Sequence, residues 1–514
     1  MNAIVAVVGE GGLADRVCAR LGAVCPIVRL QDFREGAPTE TDLVLVLSDG
    51  WQPHLHMQAE EVCRRYGTPW LRGFAAFGEG VAGPLVLPDA PGCSQCADYR
   101  RNMAGRDRRE MWMLRERMLQ HLNNRRESWA SESGLQALAV LIAGEAIRYL
   151  RREKAMTDQH VYLVNLSTLN QSRHRVLPDP LCPVCGRLPD DSAAGAAIAL
   201  QPSLKADPNG YRTRPMAELK RSLEADYLDY RTGLLNGKVY DLLSPFADAS
   251  VNLPFFGGDE GAAGRTHRYS DSTATAILEG LERHCGLAPR GKRAVVRGSY
   301  NQLEADALHP ESAGTHRPEM YLREDFPFRA FNPERPMDWV WGYSLTRERP
   351  ILVPEQLAYY STGCGGGYVY ETSNGCALGG SLEEAIFYGL LEVVERDSFL
   401  LAWYARLPLP RLDPDSAGDP EMRLMIERLK ATAGYDILLF DATMEHGIPA
   451  IWAIAKNRGK LGVNLVCAAG AHPDPVRGAK GAIHELAAML LTQNERFEAN
   501  RRQYERMLDD PYLV

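Results

Sequence analysis

A chain of 514 residues with 66 acidic and 58 basic side chains carries a formal charge of −8, and 45% of it is hydrophobic. That mildly acidic balance is ordinary for a globular enzyme and gives no support for a nucleic-acid binder; no apolar run approaches the ~20 residues that span a bilayer, so neither nucleic acid nor membrane is expected as a partner. The eleven cysteines, an odd number behind the signal-free start MNAIVAVVGEGG, argue against a disulfide framework and for reduced thiols or metal ligands in a cytoplasmic protein.

The length is that of about three domains. Residues 3–8 form a short β-branched run ending in the turn Gly9-Glu10-Gly11-Gly12-Leu13-Ala14. A helical pattern follows, then an apolar run at 26–30 closing near Asp32, at the spacing where a carboxylate meets a ribose hydroxyl. Another strand at 43–47 closes on Ser48-Asp49, with a helix at 54–66 and a strand at 68–71 after it. The alternation predicts a doubly wound parallel sheet. The glycine turn either cradles phosphate or only lets strand pass closely into helix, and both readings stay open.

Cys93-x-x-Cys96 and Cys182-x-x-Cys185 each sit in a knuckle-like turn. Two such pairs suit a tetrahedral four-thiolate zinc site, which is structural because it leaves no open position; a redox pair is the rival reading. Between the knuckles lie an Arg-rich helical stretch (99–126), an apolar helix (135–150) and a strand (161–166). The arginines form a solvated face or a docking surface for an acidic peptide. Residues 186–214, rich in Ala, Gly, Pro and Asp, have no period and are expected to be a linker. A helix (216–228) and a strand (237–243) open the second half.

The most informative stretch is 371–404, ETSNGCALGGSLEEAIFYGLLEVVERDSFLLAWY. Ser381 is an N-cap and Glu384, three residues on, fits a capping box. The helix that follows is so apolar that burial on almost every side is expected. Glu392 and Glu395 nevertheless stand one turn apart in its middle, with Arg396 beside them. Glu279, Glu282 and Arg283 repeat that spacing in AILEGLERHCG. One such pair alone reads as a structural salt bridge; two helices each offering carboxylates can face one another around hard divalent cations, most naturally magnesium with a nucleotide's phosphates.

Residues 1–185, through GEGGLA, LVLVLSDG, GTPWL and VAGPLVLPDAPGCSQC, resemble the ThiF and ubiquitin-activating adenylyltransferase superfamily, in which the same two-knuckle zinc arrangement occurs. Ala14 replaces the last glycine of that family's motif, and the short segment from Asp32 to Asp42 leaves no room for its ATP-gripping Arg and Gln. The resemblance therefore implies a degenerate scaffold. Residues 215–514 resemble the YcaO domain, in particular the D-protein of azoline-forming cyclodehydratases, through DYRTGLL, GAAGRTHRYSDSTATAILEGLERHCG and ETSNGCALGGSLEEAIFYGLLEVVERDSF. Ala276 and Arg265 stand where that family has serine and lysine, and its members continue to a Pro-rich C-terminus, so this domain is expected to be incomplete at its end.

Together these imply an α/β chain: a ThiF-like, Rossmann-type domain (1–185) with structural zinc on Cys93, Cys96, Cys182 and Cys185, the linker, and a YcaO-type α/β domain. The YcaO resemblance implies ATP held by Ser272, Glu279, Glu282, Arg283, Glu384, Glu392, Glu395 and Arg396, with magnesium on Glu279, Glu282, Glu392 and Glu395. It implies cyclodehydration of Cys, Ser or Thr in a ribosomal precursor peptide to thiazoline or oxazoline, with no protein nucleophile. Expected partners are that peptide, a leader-peptide-binding protein, a flavin dehydrogenase and a second copy in a homodimer. A non-catalytic docking scaffold and thioamide formation are the alternative roles.

Overall fold

A computed structural model describes residues 3–34, 40–120, 127–360, 367–459 and 462–509. The chain divides into two compact units. Unit 1 comprises Met1–Pro189, Ala225–Gly237 and Asn252–Glu260; unit 2 comprises Asp190–Glu224, Lys238–Val251 and Gly261–Val514.

Unit 1 contains β1 (Val5–Val8), α1 (Gly12–Leu21), β2 (Ile27–Leu30), β3 (Leu43–Ser48), α2 (Pro53–Tyr66), β4 (Trp70–Ala76), β5 (Glu79–Val86), α3 (Ser94–Ala104), α4 (Arg108–Gln120), α5 (Glu132–Leu150), β6 (His160–Asn165) and β7 (Gln171–Arg175). Strands β2-β1-β3-β4 pair in parallel, as the alternation predicts. Three antiparallel strands then extend the sheet to the order β2-β1-β3-β4-β5-β6-β7. Every residue of β1 and β3 is buried. Leu13 of α1 and Leu138 and Ile142 of α5 pack on Val5 and Leu45 from one face. Leu55 and Cys63 of α2, with the four knuckle cysteines, join Ala6 and Val44 in the core of the other. A sheet covered on both faces explains why these strands read as continuous apolar runs, each buried Leu or Val contributing roughly 1.5–3 kcal/mol.

The Arg-rich stretch is not one solvated helix. It folds as α3 and α4, and residues 121–126 lie outside the described residues. α4 buries no residue, whereas α3 buries Asp98 and Arg100. Arg100 Nε donates to the Leu177 carbonyl at 3.2 Å, and Asp98 pairs at 2.8 Å with Arg72, itself fully buried.

The chain continues through α6 (Ala193–Ala196), α7 (Met216–Tyr227), β8 (Gly237–Asp241), β9 (Ala247–Phe255), β10 (Gly258–Thr266), α8 (Tyr269–Gly286), β11 (Val296–Gly298), α9 (Tyr300–Leu303), β12 (Met337–Ser344), β13 (Arg349–Pro354), α10 (Glu355–Ala358) and α11 (Leu382–Ala405). It ends with β14 (Arg411–Leu412), α12 (Pro420–Thr432), β15 (Tyr435–Asp441), β16 (Ala450–Asn457), β17 (Leu465–Ala471), α13 (Pro475–Ala499) and α14 (Arg501–Asp509). In unit 2, Met425 and Leu429 of α12 and Ile483 and Leu486 of α13 pack on Ile437, Leu439 and Ala453 of the antiparallel sheet β14-β15-β16-β17.

The stretch expected to be a linker divides at 189, and from Asp190 on it belongs to unit 2. Asp191 is buried, accepting the Trp341 N–H at 2.7 Å and pairing with Lys292 at 3.0 Å. Tyr211 lies against Phe387 with ring centroids 4.7 Å apart. α11 departs from expectation in the other direction. Leu390, Val393, Leu401, Trp403 and Tyr404 are exposed, so its long apolar run covers more faces than this chain has core to meet.

Candidate functional site

α11 starts where the sequence places it. Ser381 Oγ accepts the Glu384 N–H at 3.2 Å, two glutamates in the first turn complement the helix dipole, and Arg406 ends the helix in a left-handed conformation. α8 carries Glu279 and Glu282. Glu279 accepts the Ala263 N–H and the Arg283 guanidinium, each at 2.8 Å. On α11, Arg396 donates to Glu392 at 3.0 Å and stands 3.9 Å from Glu395, whose second oxygen accepts the Ala471 N–H at 3.2 Å.

The two helices converge electrostatically. Burial, then repulsion from Glu279 and from Glu392 across the helix pair, raises the Glu282 carboxyl to about 7. Burial and repulsion from Glu392, with Glu485 of α13 adding to it, raise Glu395 to about 7 as well. Carboxylates on α8 and α11, with Glu485 of α13 adding, thus repel one another more than Arg283 and Arg396 neutralise them.

The remaining predicted residues are engaged elsewhere. Glu384 is buried, and its carboxylate takes the Arg212 guanidinium at 2.8 Å, the Thr213 N–H at 2.8 Å and the Thr213 hydroxyl at 2.7 Å. Against the penalty of burial, those donors hold it below the usual carboxylate range. Ser272 is fully buried, its hydroxyl 2.7 Å from the Ala247 carbonyl and 2.8 Å from Thr266 Oγ1. Arg265, in the lysine position, lies 2.8 Å from Asp248 and 3.5 Å from Glu485. Arg212 and Thr213 were missed because they sit in a stretch whose composition reads as a linker; Asp248 carries no local signal.

In unit 1 the cysteine sulfurs lie within 4.8 Å of one another and all four residues are buried. Cys93 is 3.5 Å from Cys182 and 3.9 Å from Cys96, and Cys96 is 3.4 Å from Cys185. Four sulfurs sharing one ion at ~2.3 Å would sit about 3.8 Å apart, so the cage has the right size for zinc. The Gly92 N–H points at Cys185 and the Asp179 N–H at Cys96, at 3.5 and 3.3 Å, the donors a thiolate wants. Gly186 is required: a Cβ there would stand 2.4 Å from the Pro180 carbonyl oxygen.

The glycine turn is already filled. Asp49, at the end of β3, accepts the Gly12 and Leu13 N–H groups at 2.7 and 2.8 Å. A Cβ on Gly11 would come within 2.7 Å of that carboxylate. The helix N-terminus that could meet a phosphate is capped by the chain's own anion. Asp32 caps Arg34 locally, at 2.9 Å.

A family profile described as a YcaO cyclodehydratase binding ATP and Mg2+ matches residues 263–513, which hold both carboxylate-bearing helices and α13. The chain contains a YcaO domain. It is 35% identical over 185 residues to an uncharacterised protein from the tfuA 3′ region of Rhizobium leguminosarum bv. trifolii, 34% of this chain and 44% of that one. It is 27% identical over 284 residues to an uncharacterised protein of Methanothermobacter thermautotrophicus, 54% of this chain and 67% of that one. The match thus spans less than half of the first relative. Among solved structures, a heterocyclase in complex with substrate and cofactor superposes with a TM-score of 0.77, and the heterocyclase TruD with 0.68. Each is 22% identical and covers 95% of this chain and 68% of the other. The fold is that of these heterocyclases.

Within the YcaO domain, the sequence motifs bring Glu279, Glu282, Glu392 and Glu395 together with Arg283 and Arg396. The DYRTGLL motif has another place: it belongs to unit 1, where Asp229 accepts from His174 and from the Arg231 and Thr232 N–H groups. Cys376, whose thiol burial pushes up, lies close enough to feel Glu282 and Glu392; Cys364 lies outside the described residues. Among the described residues no helix is long and apolar enough to cross a membrane.

Proposed function

We propose that this chain catalyses ATP- and Mg2+-dependent cyclodehydration of Cys, Ser or Thr residues in a ribosomally made precursor peptide, working with a leader-binding partner protein, a flavin dehydrogenase and a second copy of itself. The observation that carries this is the crowding of Glu279, Glu282, Glu392 and Glu395, which raises two of the carboxyls to about 7. In this reading those four glutamates hold magnesium, and Glu384 and Ser272 shape the nucleotide side of the site from behind. Bound magnesium supplies positive charge to the phosphates of ATP.

The chain's own residues position rather than react. Arg283 and Arg396 orient the carboxylates, and the Ala263 and Ala471 N–H groups fix Glu279 and Glu395. The peptide's side-chain thiol or hydroxyl loses its proton and adds to the preceding carbonyl, closing the ring; the resulting oxygen takes the γ-phosphoryl group of ATP, releasing ADP; phosphate then departs as the ring nitrogen gives up its proton and the C=N bond forms. In unit 1 the cysteine cage holds structural zinc, and Asp49 keeps the glycine turn from adenylating anything.

The test is to supply a Cys/Ser/Thr-rich precursor, a leader-binding partner, ATP and magnesium. Each ring should appear as the loss of one water, coupled to ATP hydrolysis, and Glu392→Ala should abolish both. ATP turnover with no change in peptide mass sinks the reading; peptide affinity without nucleotide affinity replaces it with a docking scaffold.

A further inference from the structure

Unit 1 holds a group of chemically competent side chains that the proposed reaction does not use. Ser172 and His174 are alternate residues of β7, so their side chains stand on one face of the sheet. His174 Nε2 lies 2.7 Å from Ser172 Oγ, and its Nδ1 lies 2.8 Å from Asp229 Oδ2. Hydroxyl, imidazole and carboxylate are thus joined in series, and all three residues belong to unit 1.

The carboxylate fixes the direction of each bond. Asp229 also accepts the Arg231 and Thr232 N–H groups, at 2.7 and 3.0 Å. Against the penalty of burial, His174 and those N–H groups hold its carboxyl below the usual range. An ionised carboxylate only accepts, so Nδ1 carries the proton shared with Asp229. In the neutral ring Nε2 is then bare, and the Ser172 hydroxyl donates to it. His174 is 3% exposed whereas Ser172 is half-buried, so the hydroxyl is where this series of bonds reaches the surface.

The backbone beside that hydroxyl is open as well. Among the described residues, β7 ends the sheet. The bonds from Asn165 N–H to the Asn170 carbonyl and from Val176 N–H to the Gln159 carbonyl, both 2.8 Å, turn the even-numbered residues of β7 toward β6. Arg173 and Arg175 therefore face outward, and the Arg175 carbonyl takes the Thr232 hydroxyl from that side at 2.6 Å. The Arg173 N–H, next in the chain after Ser172, is directed to the open edge, where a backbone donor can meet an oxyanion. Tyr230, itself exposed, stands edge-on to the His174 ring at 5.5 Å and adds an aromatic wall.

We propose that Ser172, His174 and Asp229 make unit 1 an acyl-transfer site for small apolar carboxylic esters. Ser172 Oγ bonds to the acyl carbon as the bond to the alcohol oxygen breaks, and the hydroxyl proton passes through His174 Nε2 to that oxygen. Water then adds at the acyl carbon, its proton passing through His174 to Ser172 Oγ as the carboxylic acid leaves. Asp229 is a positioning residue: it holds the ring in the tautomer that leaves Nε2 bare.

Two reagents applied to the full chain without ATP test this. p-Nitrophenyl acetate should be hydrolysed with saturation, and Ser172→Ala should lower the rate at least tenfold. An alkyl fluorophosphonate, which loses fluoride to a serine oxygen and stays attached, should map to Ser172 by peptide mass analysis. Asp229→Asn retains an oxygen for the Arg231 and Thr232 N–H groups but can present its amide to Nδ1, which moves the ring proton to Nε2. It should lower kcat at least tenfold with KM within about twofold, a split that a merely structural carboxylate would not produce. If Asp229→Asn unfolds by circular dichroism, Ser172→Ala and the position of the label decide. The proposal falls if Ser172→Ala hydrolyses the ester at the parent rate, if Ser172 takes no label, or if folded Asp229→Asn keeps the parent kcat.

Discussion

The cysteine cage of unit 1 and the carboxylate cluster of unit 2 are both groups of like donors, and they differ in closure. The sulfurs are all buried, at the spacing of a tetrahedron, with backbone N–H groups already on two of them. The carboxylates are half open, with side-chain exposures of 32% for Glu279, 29% for Glu392 and 18% for Glu395, and two of them stay protonated to about 7. A closed donor set can only hold; an open, under-neutralised one can exchange. On the proposed reading, that distinction fits architecture for the first and chemistry for the second.

The largest expected effect breaks the cage. Cys182→Ala should strip the metal, read by elemental analysis, and cost several kcal/mol of unit 1 stability in denaturant unfolding, since structural zinc supplies folding energy directly. Zinc-free parent protein of unchanged stability would overturn the structural role. Next, Glu392→Ala should weaken magnesium-dependent ATP binding by about 100-fold with the circular dichroism spectrum unchanged, because the removed carboxylate supports nothing but its neighbours. Glu395→Gln should even stabilise the metal-free chain above pH 7, by about 1 kcal/mol after solvent screening.

Acid and base should then pull the units apart. In the folded, metal-free chain Glu282 and Glu395 bind protons up to about 7, whereas unfolded they release them near the ordinary 4.5. Their contribution is therefore full below 4.5 and is lost as the pH rises to 7. His56 is opposite: burial, then Arg72, lowers it from 6.5 to about 3. The unfolded imidazole takes up a proton below 6.5 that the folded one refuses, so unit 1 weakens as pH falls, by at most ~1.4 kcal/mol per pH unit. Unfolding measured across this range should show both limbs, with His56→Phe flattening the acid one and Glu282→Gln the other. A single limb that neither variant alters contradicts the contrast. A last variant sharpens which unit binds nucleotide: Asp49→Ala should cost about 1 kcal/mol through lost capping of α1 and leave ATP affinity unchanged.

Much of this was legible because it is written locally. β-branched runs marked the parallel strands, the CxxC spacing marked the cage, and the repeated ExxER marked the acidic helices. Strands β5 and β7 were not legible: EGVAGPLV is interrupted by Gly and Pro, and QSRHR is a polar edge strand whose pairing is set by neighbours distant in sequence. Arg101 read as one cation in a solvated stripe, since only the tertiary fold brings Glu79, Arg231 and Trp51 around it. The apolar length of α11 foretold a helix and misjudged its burial, because composition cannot say how many sides a chain will cover. Glu384 announced itself by its capping position, while the partners that occupy it, Arg212 and Thr213, came from a stretch with no period at all.

The Asp49 carboxylate in the glycine turn behaves as a tethered competitor. Being part of the same chain, it is present at that turn at an effective concentration that no added phosphate has to match only once but must outbid continuously. It cannot be diluted, dialysed or titrated away. Any anion that is to bind at this turn therefore has to begin by evicting a resident the protein supplies to itself.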